Sequence, residues 1–282
     1  VVLPVSATHL VGGYIHYKYN GRVANKVRYM VTIYVYRDCP SPIDFDKEIT
    51  LCAFYENRNI YEEKRVRLNR ETKVNPVGNT NCPELAEACL MQGIYITSID
   101  LPLSTQGFYL KWERCCRNDQ NNLPNGTDGR PFMGQTYFAY IPRTDVPNSS
   151  PLFLDVPVPF ICANDTTTIR NRAVDEDGDS LVYRFVTPWQ GADVNTPFPD
   201  RCELMMNFPQ NVVYRNNFNA TFPFGTNGLA QIDRLNGLTT YMSRNTGRYA
   251  VAIEVQEFRK GILLSTTRLD MQILVINCRP NN

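Results

Sequence analysis

Lys26-Val27-Arg28-Tyr29-Met30-Val31-Thr32-Ile33-Tyr34-Val35-Tyr36-Arg37 alternates with a period of two. Val27, Tyr29, Val31, Ile33 and Val35 fall on one face and Arg28, Met30, Thr32, Tyr34 and Tyr36 on the other, which is the pattern of a strand with one buried side. Working outward, the same reading fits Leu10 to Tyr19, Ile49 to Tyr55, Glu63 to Leu68, Gly93 to Leu101, Gly107 to Arg114 and Thr136 to Ile141, with Pro, Gly and Asn between them. A second series follows: Val158 to Cys162, Thr166 to Arg170, Ser180 to Val186, Gly228 to Ile232, Leu238 to Met242, Tyr249 to Phe258 and Ile262 to Asn277. Its last two members are joined by Arg259-Lys260-Gly261, the clearest hairpin in the chain. Only Glu84 to Leu90 reads as a helix.

At 282 residues the chain has room for about two domains. Three prolines in Ile141 to Pro151 place the boundary there. The expected fold class is all-β: two tandem immunoglobulin-like β-sandwich domains, disulfide-stabilised, over residues 8–146 and 147–282.

Charge removes two classes of partner. With 29 basic and 28 acidic side chains and a net charge of +1, the sequence has no footprint for nucleic acid or an anionic membrane. No run of 18 apolar residues predicts a membrane-spanning helix. Val1 to Ala7 reads either as the end of a signal peptide or as an apolar N-terminal strand able to pair with a neighbouring copy.

Nine cysteines stand at 39, 52, 82, 89, 115, 116, 162, 202 and 278. None forms C-x-x-C, and His9 and His16 do not complete a zinc-binding pattern, so the thiols read as disulfides made in an oxidising compartment. Cys115 and Cys116 follow a strand-like run, where neighbouring side chains point to opposite faces, so each is expected to bond a different partner. Cys39 would join one of them, Cys82 and Cys89 would close a small loop or reach the same pair, and Cys162 with Cys278 would tie the ends of the second unit. An odd count leaves one thiol over, either buried and inert or bonded to another subunit.

Two further constellations carry chemistry. Asp175, Asp177 and Asp179, at alternate positions around Gly178, suit the oxygen shell of calcium, although the spacing is not that of an EF-hand; the alternative is a solvated Asp-Gly turn. Between Thr187 and Gly225, the rings of Trp189, Phe198, Phe208, Tyr214, Phe218, Phe222 and Phe224 sit among Asn and Pro. They can pack down as a lid, form a protein interface or stack on sugar rings. Catalytic motifs are absent: there is no H-E-x-x-H, G-x-S-x-G or phosphate loop. Sequons at Asn125, Asn148, Asn164 and Asn219 would point to glycosylation in a eukaryotic protein and to chance in an Asn-rich bacterial one.

Six ordered blocks add a resemblance: Thr8-His9-Leu10-Val11-Gly12-Gly13, Val35-Tyr36-Arg37-Asp38-Cys39, Cys115-Cys116-Arg117-Asn118, Asn148-Ser149-Ser150-Pro151, Ala173 to Tyr183 and Val275-Ile276-Asn277-Cys278. Together they resemble the N-terminal region of the large gliding-motility-associated, adhesin-like surface proteins that Bacteroidota export by type IX secretion. The Asp175 block also resembles the strand entry of cadherin-like and immunoglobulin-like modules, some of which bind calcium. Members of the surface family continue into a C-terminal sorting domain, so a chain ending at Asn282 is expected to be a processed product or an excerpt. Cys52 and Cys202 look like additions to the family pattern. The resemblance implies a secreted cell-surface module for attachment or assembly, not an enzyme, with calcium as the one candidate cofactor. Its partners would be other protein subunits, itself or glycans. The alternatives are a subunit of a self-assembling filament and, further off, a secreted hydrolase.

Overall fold

A computed structural model describes residues 10–39, 43–74, 89–124 and 133–278. Seven strands build the first half: β1 (Leu10–Val23), β2 (Lys26–Asp38), β3 (Glu48–Tyr55), β4 (Ile60–Val74), β5 (Leu90–Pro102), β6 (Phe108–Arg114) and β7 (Met133–Ile141). Eleven follow, several very short: β8 (Leu152–Phe153), β9 (Phe160–Cys162), β10 (Thr167–Arg170), β11 (Ala173–Val174), β12 (Ser180–Val186), β13 (Trp189–Asp193), β14 (Gln210–Asn211), β15 (Leu229–Ile232), β16 (Leu238–Met242), β17 (Gly247–Arg259) and β18 (Ile262–Ile276). Among the described residues the only helical element is a 3-10 turn over Cys202–Met205. The helical reading of Glu84 to Leu90 falls on residues outside those described, apart from Cys89 and Leu90, which opens β5. The protein is all-β.

The period of two in β2 is expressed as burial. Val27, Tyr29, Val31, Ile33 and Val35 are each 1 % exposed or less, while the residues between them are mostly half-buried. Most strands join one sheet in the order β12-β17-β18-β1-β2-β5-β4-β3-β6-β7-β13-β14, antiparallel throughout, with β9 added parallel to β18. β4 turns the corner: its first half pairs with β3 and its second half, from Leu68, with β5. A strand that switches partners in this way folds a sheet back over itself. The limb of β3, β6 and β7 therefore covers β1, β2 and β5, enclosing a core that includes Tyr17, Tyr29, Ile33, Leu51, Trp112 and Tyr137. Trp112 stacks on Tyr137 with ring centroids 5.0 Å apart. Burying side chains of this size stabilises by about 1.5–3 kcal/mol apiece.

The opposite face of the same wall meets a second core. Tyr14 and Tyr36 from β1 and β2 join Tyr249, Val251, Ile253, Leu269 and Ile273 from β17 and β18, capped by the small sheets β10-β16-β15 and β8-β11. β1 is the shared strand: Gly12 and Gly13 face Tyr36 and Val35 on one side and Met271 and Asp270 on the other. The approach there is close, since a Cβ added at Gly12 would lie 2.1 Å from the Asp270 carbonyl oxygen.

The ladder thus passes across the expected boundary near residue 147, and the segment there is tied down. Asn148, Ser149 and Ser150 are buried. Ser150 donates its amide to the Tyr17 carbonyl at 2.8 Å, and its Oγ accepts the Tyr17 amide at 3.0 Å. The β17–β18 hairpin closes through Lys260 and Gly261, both at positive φ, the conformation expected of a tight two-residue turn.

Four disulfides are formed: Cys39–Cys89, Cys52–Cys202, Cys115–Cys116 and Cys162–Cys278. The reading of Cys115 and Cys116 as staples to separate partners is corrected. β6 ends at Arg114, so the pleat that would part their side chains has stopped, and the cysteines bond each other across a cis peptide with Cα atoms 3.0 Å apart. Cys39 accordingly bonds Cys89 and neither vicinal cysteine, while Cys82 lies outside the described residues.

The stapling passes instead to the next two residues. Arg117 donates to both carboxylate oxygens of Asp270 in β18, with Nη1 to Oδ1 at 2.9 Å, and also to the carbonyls of Trp189 and Gly134. Asn118 Nδ2 donates to Gln272 Oε1 at 3.1 Å. No helix among the described residues is long and apolar enough to cross a membrane.

Candidate functional site

β6 presents two kinds of face. Phe108, Leu110 and Trp112 point into the first core, which turns Lys111 and Glu113 outward toward β13 and the segment that follows it. There the Cys52–Cys202 bond pins the 3-10 turn against β3, and a cleft of about 350 Å³ opens between that turn and β13. Its walls carry Glu113, Gln190, Asp193, Thr196, Asn207 and Gln210 together with Phe208, so polar groups predominate. Gly191 belongs to the lining because its backbone packs on β7: a Cβ there would meet the Gln135 carbonyl oxygen at 2.3 Å.

Behind the Glu113 wall of this cleft lies a charged and ordered group. Lys111 Nζ lies 2.5 Å from Glu113 Oε1 and also donates to the carbonyls of Met205 (2.9 Å) and Asn207. Thr136 Oγ1 lies 3.2 Å from Glu113 Oε1 and 2.8 Å from the Gln190 carbonyl oxygen. Burial pushes the Glu113 carboxyl up and the Lys111 ammonium down, and the charge of each partner works against that shift. Asp193 accepts the amides of Asn195 and Thr196, which orders the turn at the rim.

The aromatic residues of 187–225 do not gather into one surface. Phe208 packs edge-on against Tyr109 (4.7 Å) and Phe138 (5.8 Å), with the Arg58 guanidinium 4.2 Å from its centroid. Trp189 meets Phe138 at 5.3 Å and lies under Arg268 at 3.6 Å. Phe224 is buried in the second core against Tyr241 and Tyr249, and Phe218 leans on Tyr249. Tyr214 is half-buried and its hydroxyl is held above the ordinary range by burial. Phe198 and Phe222 are exposed, Phe198 with the Arg114 guanidinium 3.4 Å from its ring.

No family model, curated protein or solved structure matches the chain.

The aspartate run folds as a turn between β11 and β12, and its three carboxylates part company. Asp175 Oδ1 accepts the amides of Asp177 and Asp179; Asp177 Oδ2 accepts the Ser149 amide at 2.6 Å; Asp179 pairs with Arg259, whose Nη2 is 2.5 Å from its Oδ2. Asp175 and Asp179 converge instead with Glu257 of β17. Arg259 holds the Asp179 carboxyl below its usual range, whereas burial raises Asp175 and lifts Glu257 to about 8.

Sequence reasoning missed Lys111, Glu113 and Glu257. Each stands in register with other residues of its strand: Lys111 and Glu113 alternate with core residues, and Glu257 is in phase with Val251, Ile253 and Val255. A charge two residues after a buried aliphatic, on the same face, is the signal that would have found Glu257.

Proposed function

We propose that the chain is an extracellular adhesive module that holds a hydroxyl-rich ligand, a glycan, in the cleft beside Phe208. The observation that carries this reading is the cleft itself, about 350 Å³, at the lower end of the range for ligand sites, with amide and carboxylate side chains beside an apolar ring. Sugars present donors and acceptors together, which Gln190, Asn207 and Gln210 can match, and an apolar face that Phe208 can meet. Four disulfides are compatible with a location outside the cytoplasm, and the resemblance to Bacteroidota surface proteins supports secretion and attachment. The two cores on either side of one wall support a two-lobed organisation. Binding is favoured over hydrolysis because the buried carboxylate Glu113 is already engaged by Lys111 and Thr136.

The test is titration of the full chain with a panel of oligosaccharides, followed by the fluorescence of Trp189, which abuts the same aromatic cluster. Saturable quenching without cleavage of the sugar is expected. Gln190→Ala and Asn207→Ala should each weaken binding by about tenfold, the worth of a lost hydrogen bond, and Phe222→Ala should leave it unchanged. A panel without a binder at millimolar concentration would remove the reading. A second reading, a filament subunit, is favoured by the outer edge of β12, seven residues long with no strand beyond it among the described residues. Electron microscopy showing filaments would select it.

A further inference from the structure

Asp175 uses one carboxylate oxygen to close its own turn, and its Oδ2 is left buried without a hydrogen-bond partner. Glu257 arrives from a different element. It is 0 % exposed; its Oε2 accepts Asn148 Nδ2 at 3.1 Å and the Ser265 hydroxyl, while its Oε1 has no hydrogen-bond partner. Asp179 completes the group, with Arg259 Nε at 2.9 Å from Oδ1 and 3.0 Å from Oδ2. One carboxylate oxygen from each of the three residues lies within 4.8 Å of the others.

A buried carboxylate oxygen without a donor is costly, and Asp175 and Glu257 each bring one to the group. At neutral pH Glu257 keeps the proton that burial favours, and a cation among the three would displace it and satisfy both oxygens. Carboxylates drawn from two separate elements suit calcium, which takes six to eight oxygens in loose geometry, better than magnesium, which keeps most of its water and demands a strict octahedron. We propose that Asp175, Asp179 and Glu257 form a binding site for a calcium-class divalent cation, with water filling the remaining positions. Asp177, the central member of the sequence motif, is outside it, because its carboxylate is spent on the Ser149 amide. The ion would bind the β11–β12 turn to β17 and, through Asn148, to the Pro147–Pro151 crossing between the two halves.

The full chain, freed of metal with a chelator, is to be titrated calorimetrically with calcium chloride and melted with and without it. One site per chain and a higher melting temperature are expected, with a smaller effect of magnesium at the same concentration. Asp175→Asn and Glu257→Gln should each weaken calcium by about tenfold or more, since affinity follows the ligand charge, and Asp177→Asn should stay within about twofold. Wild-type protein that gives no binding heat and melts identically in calcium and in chelator overturns the proposal without recourse to any variant. So does calcium binding that survives Glu257→Gln and is lost in Asp177→Asn, which would put the ion on the turn alone.

Discussion

His16 shows how a single side chain sets a pH limit. It lies on β1 at 5 % exposure, with Nδ1 3.1 Å from Ser150 Oγ and the Lys18–Glu176 ion pair close by. Burial lowers its pKa from 6.5 to about 4, against the pull of Glu176 and with a smaller push from Lys18. The folded chain therefore refuses a proton that the unfolded chain accepts. The stability tied to this neutral imidazole is complete above pH 6.5 and is lost as the pH falls from there toward 4, by about 2 to 3 kcal/mol at pH 4.5. Denaturant unfolding at pH 7 and pH 4.5 checks this by difference. Wild type should lose about that much more than His16→Gln, which keeps a hydrogen-bonding group toward Ser150 and cannot titrate. Parallel losses in the two proteins would mean that the imidazole is protonated in the fold.

At the scale of elements, the Cys52–Cys202 bond joins a core strand to a segment that has little regular structure of its own. It spans 150 residues, and a closed loop of that length is worth about 4 to 5 kcal/mol in the chain-entropy account. Cys52→Ser/Cys202→Ser should lose most of that by denaturant unfolding and should open residues 194–211 to limited proteolysis first, because the 3-10 turn is then held only by contacts such as Lys111 to the Met205 carbonyl. These elements also mark how far the sequence could be read. The long strands β1, β2, β17 and β18 were legible because a period of two over a dozen residues is unambiguous. β8, β11, β13 and β14, of two to five residues, carry too few side chains to show a period, and β13 and β14 line the cleft. The chemistry was legible in part. Asp175 and Asp179 were visible as a local run, whereas Glu257, some 80 residues later in the chain, joins them only through the pairing of β12 with β17. The vicinal cysteines misled because the pleat of the preceding strand was carried on to them, although that strand ends at Arg114 in the sequence reading and in the structure alike.

At the scale of the whole molecule, the decisive feature is that β1, near the start of the chain, is paired between β2 and β18, near its end. Both hydrophobic clusters then lean on one wall, so losing either exposes a face of strands that the other needs. Arg117 and Asp270, both 4 % exposed at their side chains, reinforce the joint from the other side of the sequence. Such coupling predicts one cooperative transition for the native chain, with tryptophan fluorescence, which reports the first core and the joint through Trp112 and Trp189, coinciding with far-ultraviolet circular dichroism, which reports all strands. Gly12→Val is the variant that tests it. A branched side chain cannot occupy a place where the first carbon already lies 2.1 Å from the Asp270 carbonyl oxygen, so β1 must separate locally from β18 while its longer ladder with β2 is kept. The two probes should then part, with one half unfolding at lower denaturant than the other. Coincident transitions in Gly12→Val would show that the halves are coupled elsewhere, through Arg117 and the Pro147–Pro151 crossing, and that the shared strand contributes packing without carrying the cooperativity.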